Sequence, residues 1–279
     1  MTIRAEVITA ELDEPAPQAP GPIATILAPV VALWTDLRGL WKLLMQTMSA
    51  LFRRQFDRTS MVEQCYSVGN GSVLFITVVM AVLGMIIVVQ SGLQTQRVIP
   101  ELSLLGANVI QLLSREFAPT VCAMMLATRV GAGIAAEIGS MVVTDQVDAL
   151  RMSGAQPVAY LVVPRFFACV LMTTALTFWS LAVSLVAGTF AAHTVFDLNV
   201  STFVNFNLVG LSDYLVMTLK AVAYGMAIPI ISSQRGLTTF GGSEGVGWAT
   251  TNAVVHSSVA IILLDLILSI FGYIVLPPN

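Results

Sequence analysis

Between Glu63 and Arg97 the chain carries no charged residue, and SVLFITVVMAVLGMIIVV runs from Ser72 to Val89 almost without a polar side chain. A helix rises about 1.5 Å per residue, so about 20 apolar residues cross the ~30 Å of hydrocarbon in a bilayer. A stretch that is apolar on every face, and that long, predicts a membrane-spanning helix rather than the one-sided helix of a soluble core.

Further spans follow from the same test. Nothing charged lies between Arg165 and Asp197, and VVHSSVAIILLDLILSIFGYIV, ending at Val275, crosses with Asp265 inside it. Two spans are interrupted. One lies between Glu101 and Glu137 and holds Arg115, Glu116 and Arg129; another, from about Tyr214 to Ser233, holds Lys220. With 56% hydrophobic and 10% charged residues among 279, and a mean hydropathy of +0.84, the chain reads as an all-α integral membrane protein with five transmembrane helices. The net charge of -3 says little about partners, since in membranes the placement of Lys and Arg matters more than their sum. No nucleic-acid partner is expected. Cys65, Cys122 and Cys169 sit in apolar surroundings without a CxxC pair, and His193 and His256 stand far apart, so neither a disulfide framework nor a metal site is expected.

Residues 1–23 are acidic and proline-rich, without the apolar core of a secretory leader, and read as a disordered tail. Within 24–60, Leu33, Leu37, Leu40, Leu44, Met48 and Leu51 keep one helical face apolar while Thr35, Lys42, Gln46, Ser49 and Arg53 line the other. Trp34 and Trp41 lie beside that apolar face. The pattern predicts an interfacial helix in the headgroup region, with a five-span domain over 61–279. Five crossings from a cytoplasmic N-terminus put the C-terminus outside. Basic residues agree with that orientation: Arg4, Arg38, Lys42, Arg53, Arg54, Arg58, Arg129, Arg151, Arg165 and Arg235 fall inside, against Arg97 and Arg115 outside.

The stretch EIGSMVVTDQVDALRMSGAQP, residues 137 to 157, then faces the cytoplasm between the second and third spans. Val143, Val147 and Leu150 recur at i, i+4 and i+7, with Asp145, Asp148 and Arg151 spaced by three beside them. The spacing predicts a short amphipathic helix closed by Gly154, with Pro157 beyond. Such a helix is a connector or a docking element for a peripheral partner, the apolar stripe giving affinity and the charges register. The chain itself holds no phosphate-binding GxxxxGK[ST] loop, since Lys42 and Lys220 follow Trp41 and Leu219. GGSEGVG, residues 241 to 247, follows no strand and is expected to be a flexible cytoplasmic turn.

SREFAPTVCAMMLATRVGAGIAAEIGSMVVTDQVDALRMSGAQPVAYLVVPRF, residues 114 to 167, resembles the core of the MlaE/YrbE permease family, and EGVGWATTNAVVHSSVAIILLD, 244 to 265, resembles its C-terminal segment. The resemblance implies a non-catalytic permease subunit of an ABC-type lipid transporter of the bacterial inner (plasma) membrane. It implies a dimer with a second copy or a paralogue, two MlaF-like ATPase subunits that bind ATP and Mg, and an MCE-domain protein as lipid carrier. By the same resemblance Thr144, Asp145, Val147, Asp148, Leu150 and Arg151 form the ATPase-coupling helix, and Gln90, Leu93, Arg115, Glu116 and Phe117 belong to the lipid-binding region. Where the family often has two adjacent acids, this chain has Asp145 and Gln146.

An ionised side chain at mid-bilayer costs about 2.5–3.5 kcal/mol on insertion scales, so Arg115 and Glu116 are expected to face a cavity or partner. Arg115 either meets a lipid phosphate or closes a dimer seam with Glu116. Gly131, Ala135 and Gly139 repeat every four residues, a spacing for close helix packing. Asp265 is expected to pair with Lys220, and Glu137 to anchor the turn into the short helix. Two rival readings are an ion-coupled secondary transporter using Asp265 and Lys220, and a lipid phosphotransferase with Asp145 and Asp148 as metal ligands. The second lacks the further aspartate pair such an enzyme needs, no Asp following Asp148 before Asp197.

Overall fold

The computed structural model describes residues 22–52, 58–98, 105–204 and 209–276, among which no strand occurs. Helix α1 spans Pro22–Phe52, α2 Arg58–Val98, α3 Leu105–Val143, α4 Gln146–Met152, α5 Val158–Phe196, α6 Val200–Phe203, α7 Leu211–Leu237 and α8 Gly242–Val275. Five of these, α2, α3, α5, α7 and α8, are long and apolar enough to cross a membrane. Of the expected tail, 1–23, residues 1–21 lie outside the described residues, as do Arg53 and Arg54, while Pro22 and Ile23 open α1 instead.

Two compact units are present, Met1–Lys42 and Leu43–Asn279. In the first, α1 begins at Pro22, a position where a missing N–H costs nothing, and Trp34, Leu37 and Trp41 are exposed, with the Arg38 guanidinium 5.0 Å over the Trp34 ring. In the second unit the buried face of α1 is Leu43, Thr47 and Ala50, each one position before Leu44, Met48 and Leu51 of the apolar stripe, which are only partly covered. The inward face is thus turned by one residue, about 100° on a helix of 3.6 residues per turn. Thr47 can turn inward because its hydroxyl donates to the Leu43 carbonyl at 2.8 Å, and with Ala50 it leaves room for close packing.

Lipid tails are as apolar as leucine, so burial alone does not hold spans together; close van der Waals fit and internal polar bonds do. α2 packs along α5, with Ile76, Met80 and Val88 fully buried. At Gly84 an added Cβ would strike the Ser184 backbone, so this glycine sets how near the two helices run. The Gly131, Ala135 and Gly139 face packs as its spacing predicts: Ser232 and Ile228 of α7 lie over Gly131, Thr239 over Gly139, and Gly236 against the Ala135 carbonyl. α7 is the central span, 61% of its most apolar window being buried against 11% for α8, so α8 stands at the edge with a long exposed face.

Two boundaries differ from expectation. The helix that carries the second span does not stop at Glu137 but continues to Val143, and Glu137 ties α3 to α5 through an ion pair with Arg165 at 2.9 Å. GGSEGVG is not a flexible turn: Gly241, at φ 85°, makes the reversal and α8 starts at Gly242. Glu244 in the first turn complements the helix dipole, and Gly245 lies so close to the Phe240 backbone that a Cβ would clash.

Candidate functional site

α3 is not a regular α-helix. It widens into π turns at Leu113–Phe117 and Ala127–Gly131, and these hold its three basic or acidic mid-span residues, Arg115, Glu116 and Arg129. A π turn inserts a residue into the ladder, swings the side chains that follow, and recurs at functional sites. Consecutive residues on a helix point about 100° apart, so Arg115 and Glu116 face different partners and do not bond each other.

Arg115 pairs through Nε with Asp213 at the start of α7, and a terminal nitrogen donates to the Leu276 carbonyl at 2.7 Å. Its other terminal nitrogen has no partner among the described residues. Asp213 is fully buried and also accepts from the Gly210 amide at 2.8 Å, which caps α7. Glu116 turns to Lys220, whose ammonium lies 2.6 Å from the Glu116 carboxylate, 2.8 Å from Asp265, 2.8 Å from Ser269 and 2.9 Å from the Arg115 carbonyl. Asp265 also accepts from Tyr224 at 2.7 Å and Thr120 at 3.0 Å. The expected Asp265–Lys220 pair is present, and within the chain Arg115 pairs with Asp213 of α7. Two cations and three carboxylates thus meet among α3, α7 and α8, with Lys220 and Asp213 wholly out of contact with solvent. Each carries a charge that hydrocarbon would reject; paired and hydrogen-bonded they bind three spans together.

Beside the cluster a cavity of 790 Å³ opens between α3 and α8, lined by Asn108, Gln111, Leu112, Arg115, Glu116, Ser269, Ile270, Tyr273 and Ile274. Of the sequence-predicted lipid residues it takes in Arg115 and Glu116. Gln90 and Leu93 are exposed on α2 and do not line it, and Phe117 packs on the hydrophobic core. Asn108, Gln111 and Tyr273 were not foreseen, though their spacing carried the signal: 108, 111, 112 and 115 fall at i, i+3, i+4 and i+7, one helix face.

At the other end of the bundle, α4 follows a tight turn in which the Thr144 hydroxyl donates to the Ser140 carbonyl at 2.8 Å and Asp145 adopts the left-handed conformation, φ 59°. Asp is among the few residues that tolerate that region. The helix ends as predicted: Gly154, at φ 81°, lets its own amide reach the Arg151 carbonyl and that of Ala155 reach Leu150, both at 3.1 Å. Asp148 and Arg151 are exposed and pair with each other at 2.8 Å. The apolar stripe does not point one way. Val147 is buried, Leu150 half-buried, and the side chain that projects is Met152, 90% exposed and absent from the predicted stripe.

These features can be set beside known proteins. A family model described as permease MlaE matches residues 61–271, which covers all five spans and α4. The chain belongs to the MlaE permease family. A probable ABC transporter permease protein of Synechocystis is 37% identical over 80% of this chain and 86% of its own length. A probable ABC transporter permease protein of Pyropia yezoensis is 32% identical over 78% of this chain and 83% of its own length. The Arabidopsis thaliana chloroplast protein named trigalactosyldiacylglycerol 1 is 33% identical over 61% of this chain and 49% of its own length. This MlaE-family chain is therefore a multi-pass membrane protein and a permease subunit of an ABC-type transporter. That membership sets aside both rivals, and the Lys220–Asp265 pair that motivated ion coupling is occupied by internal bonds.

Proposed function

We propose that this permease moves lipid, with the cavity between α3 and α8 receiving the lipid during transfer. The observation that carries the reading is the cavity's lining: the apolar side chains of Leu112, Ile270 and Ile274 on the same surface as Arg115 and Glu116, a layout that suits acyl chains beside a polar headgroup. The terminal nitrogen of Arg115 without a partner among the described residues is the donor for a headgroup phosphate. The lipid named in the Arabidopsis relative's own name supports the substrate class.

The rest of the assembly follows from this reading. The chain lies in a bacterial inner membrane with its N-terminus cytoplasmic, so that Arg129, Arg151, Arg165 and Arg235 gather at the cytoplasmic end. Thr144 to Arg151 docks an ATPase subunit that binds ATP and Mg, through Met152, Leu150 and the Asp148–Arg151 pair. The exposed face of α8 meets a second permease copy or paralogue, and an MCE-domain protein takes the lipid beyond the membrane. The test is purification of the intact complex in mild detergent. Co-elution of an ATPase and an MCE protein with retained lipid is the expected result; a chain that elutes without ATPase and without lipid contradicts the reading.

A further inference from the structure

A second polar recess lies at the α4 end of the bundle, remote in sequence register from the cavity above. It encloses 220 Å³ between α2 and α3 and is lined chiefly by Gln64, Ser67, Arg129, Gly133 and Glu137. Arg129 stands in the second π turn of α3, with its guanidinium donating to the Ser72 hydroxyl at 2.7 Å. It lies so closely over Gly71 that any Cβ there would collide with it. Among the described residues no carboxylate reaches Arg129. Glu137 shares the recess but already pairs with Arg165 at 2.9 Å, so Arg129, Arg165 and Glu137 together leave one positive charge unmatched.

The depth of this charge is readable from α2. Ser72 is the first residue of the apolar run that ends at Val89, and the polar residues Gln64, Ser67 and Asn70 precede it. Arg129 therefore sits at the boundary between hydrocarbon and headgroups. The recess is too small for a whole lipid, since pockets that enclose drug-sized ligands run from about 300 Å³ upward. It is large enough for a headgroup whose chains lie outside. On α2 the face bearing Ser67 and Gly71 continues, at the next helical positions, into Leu74 and Val78, which are 76% and 57% exposed. A polar notch thus opens directly onto an exposed apolar track.

We propose that this recess is a second lipid station, in which Arg129 binds the phosphodiester monoanion of a lipid headgroup while the acyl chains run along Leu74 and Val78. On the orientation given above it serves the cytoplasmic leaflet, opposite the leaflet served by the α3–α8 cavity. The guanidinium supplies a planar fork for phosphate oxygens, with Ser67 and Gln64 beside it as further donors. The binding claim does not depend on the outer cavity carrying lipid.

The test uses the full chain in neutral detergent, native mass spectrometry, and dioctanoyl phosphatidylglycerol as the probe. Two tightly held lipids are expected on the unaltered chain. Arg129→Gln should lose one of them, its affinity falling by roughly tenfold or more, the loss of one charge-assisted hydrogen bond, while Arg129→Lys keeps part of it. Gly133→Leu guards against misfolding as the explanation: a Cβ at Gly133 meets nothing within 4 Å, so the side chain fills the recess without disturbing packing. It should abolish the same adduct with an unchanged melting temperature. Asn108→Trp, which fills the α3–α8 cavity from an exposed position outside the charged cluster, should remove the other lipid and leave this one, so failure of the outer site and failure of the inner one read out separately. Retention of both lipids by Arg129→Gln and Gly133→Leu would overturn the proposal. Competition by equal concentrations of inorganic phosphate would also overturn it, by making the ligand a soluble phosphate rather than a lipid.

Discussion

Lys220 is the hub of the charged cluster, with Glu116, Asp265, Ser269 and the Arg115 carbonyl all within 3 Å of its ammonium. Replacing it by methionine keeps the volume and strands two carboxylates, and removing one partner of a buried pair costs about 3–5 kcal/mol. Lys220→Met should therefore lower the thermal stability of the purified chain sharply, and Lys220→Met with Glu116→Gln and Asp265→Asn should recover much of it; equal melting of wild type and single variant would contradict this role. Arg115→Ala should reduce retained lipid and, because it strands the fully buried Asp213 carboxylate, should also lower the melting temperature; an unchanged melting temperature would contradict the pairing. At this scale the sequence was informative about which residues are out of place in hydrocarbon, and the Asp265–Lys220 pair followed from that alone. The Arg115–Asp213 pair did not, because Asp213 lies just before the span expected from Tyr214 and reads there as a solvated end. Arg115 and Glu116, adjacent in sequence, turn to different partners within the chain, Asp213 and Lys220.

Among the elements, α4 was legible as a helix with its glycine stop, because capping chemistry is local, but its start was not: Val143 ends α3, and Thr144 and Asp145 form the turn before Gln146. Which way it faces was not, since Val143, Val147 and Leu150 fit a stripe for docking as well as one for attachment to the bundle. Val147 is buried, so Val147→Ala should act on stability, as a core truncation of a residue this size, by about 1–2 kcal/mol. Met152→Ser and Asp148→Arg, both at exposed positions, should leave expression and melting unchanged and reduce co-purified ATPase. Full ATPase retention by the Asp148→Arg, Met152→Ser double variant would remove α4 from the coupling role. The π turns of α3 left no mark in composition or period, though they hold Arg115, Glu116 and Arg129, of which Arg115 and Glu116 bond residues on other helices and Arg129 bonds Ser72 of α2. GGSEGVG misled because Gly241 and Gly242 supply the positive φ of the reversal and Gly245 the close approach to the Phe240 backbone, at the start of α8, rather than flexibility.

Over the whole molecule the division of labour runs along the bundle. α7 is central and buried, α8 peripheral, and the cavity opens between α8 and the irregular helix α3. Five apolar runs fix the count of spans, since only a helix satisfies its own backbone in hydrocarbon. Their arrangement rests on small residues and on the charged cluster, which sequence locates without pairing. Transfer of lipid through the α3–α8 cavity is the central claim, and Asn108 is the position from which to block it, being exposed, part of the cavity lining and outside the charged cluster. The decisive measurement is lipid transfer from proteoliposomes holding the complete complex, with and without ATP, for wild type and Asn108→Trp. ATP-dependent transfer by the wild type, lowered by roughly tenfold in the variant with its ATPase still bound, is the predicted result. Equal ATP-dependent transfer by Asn108→Trp, or wild-type transfer indifferent to ATP, would contradict it.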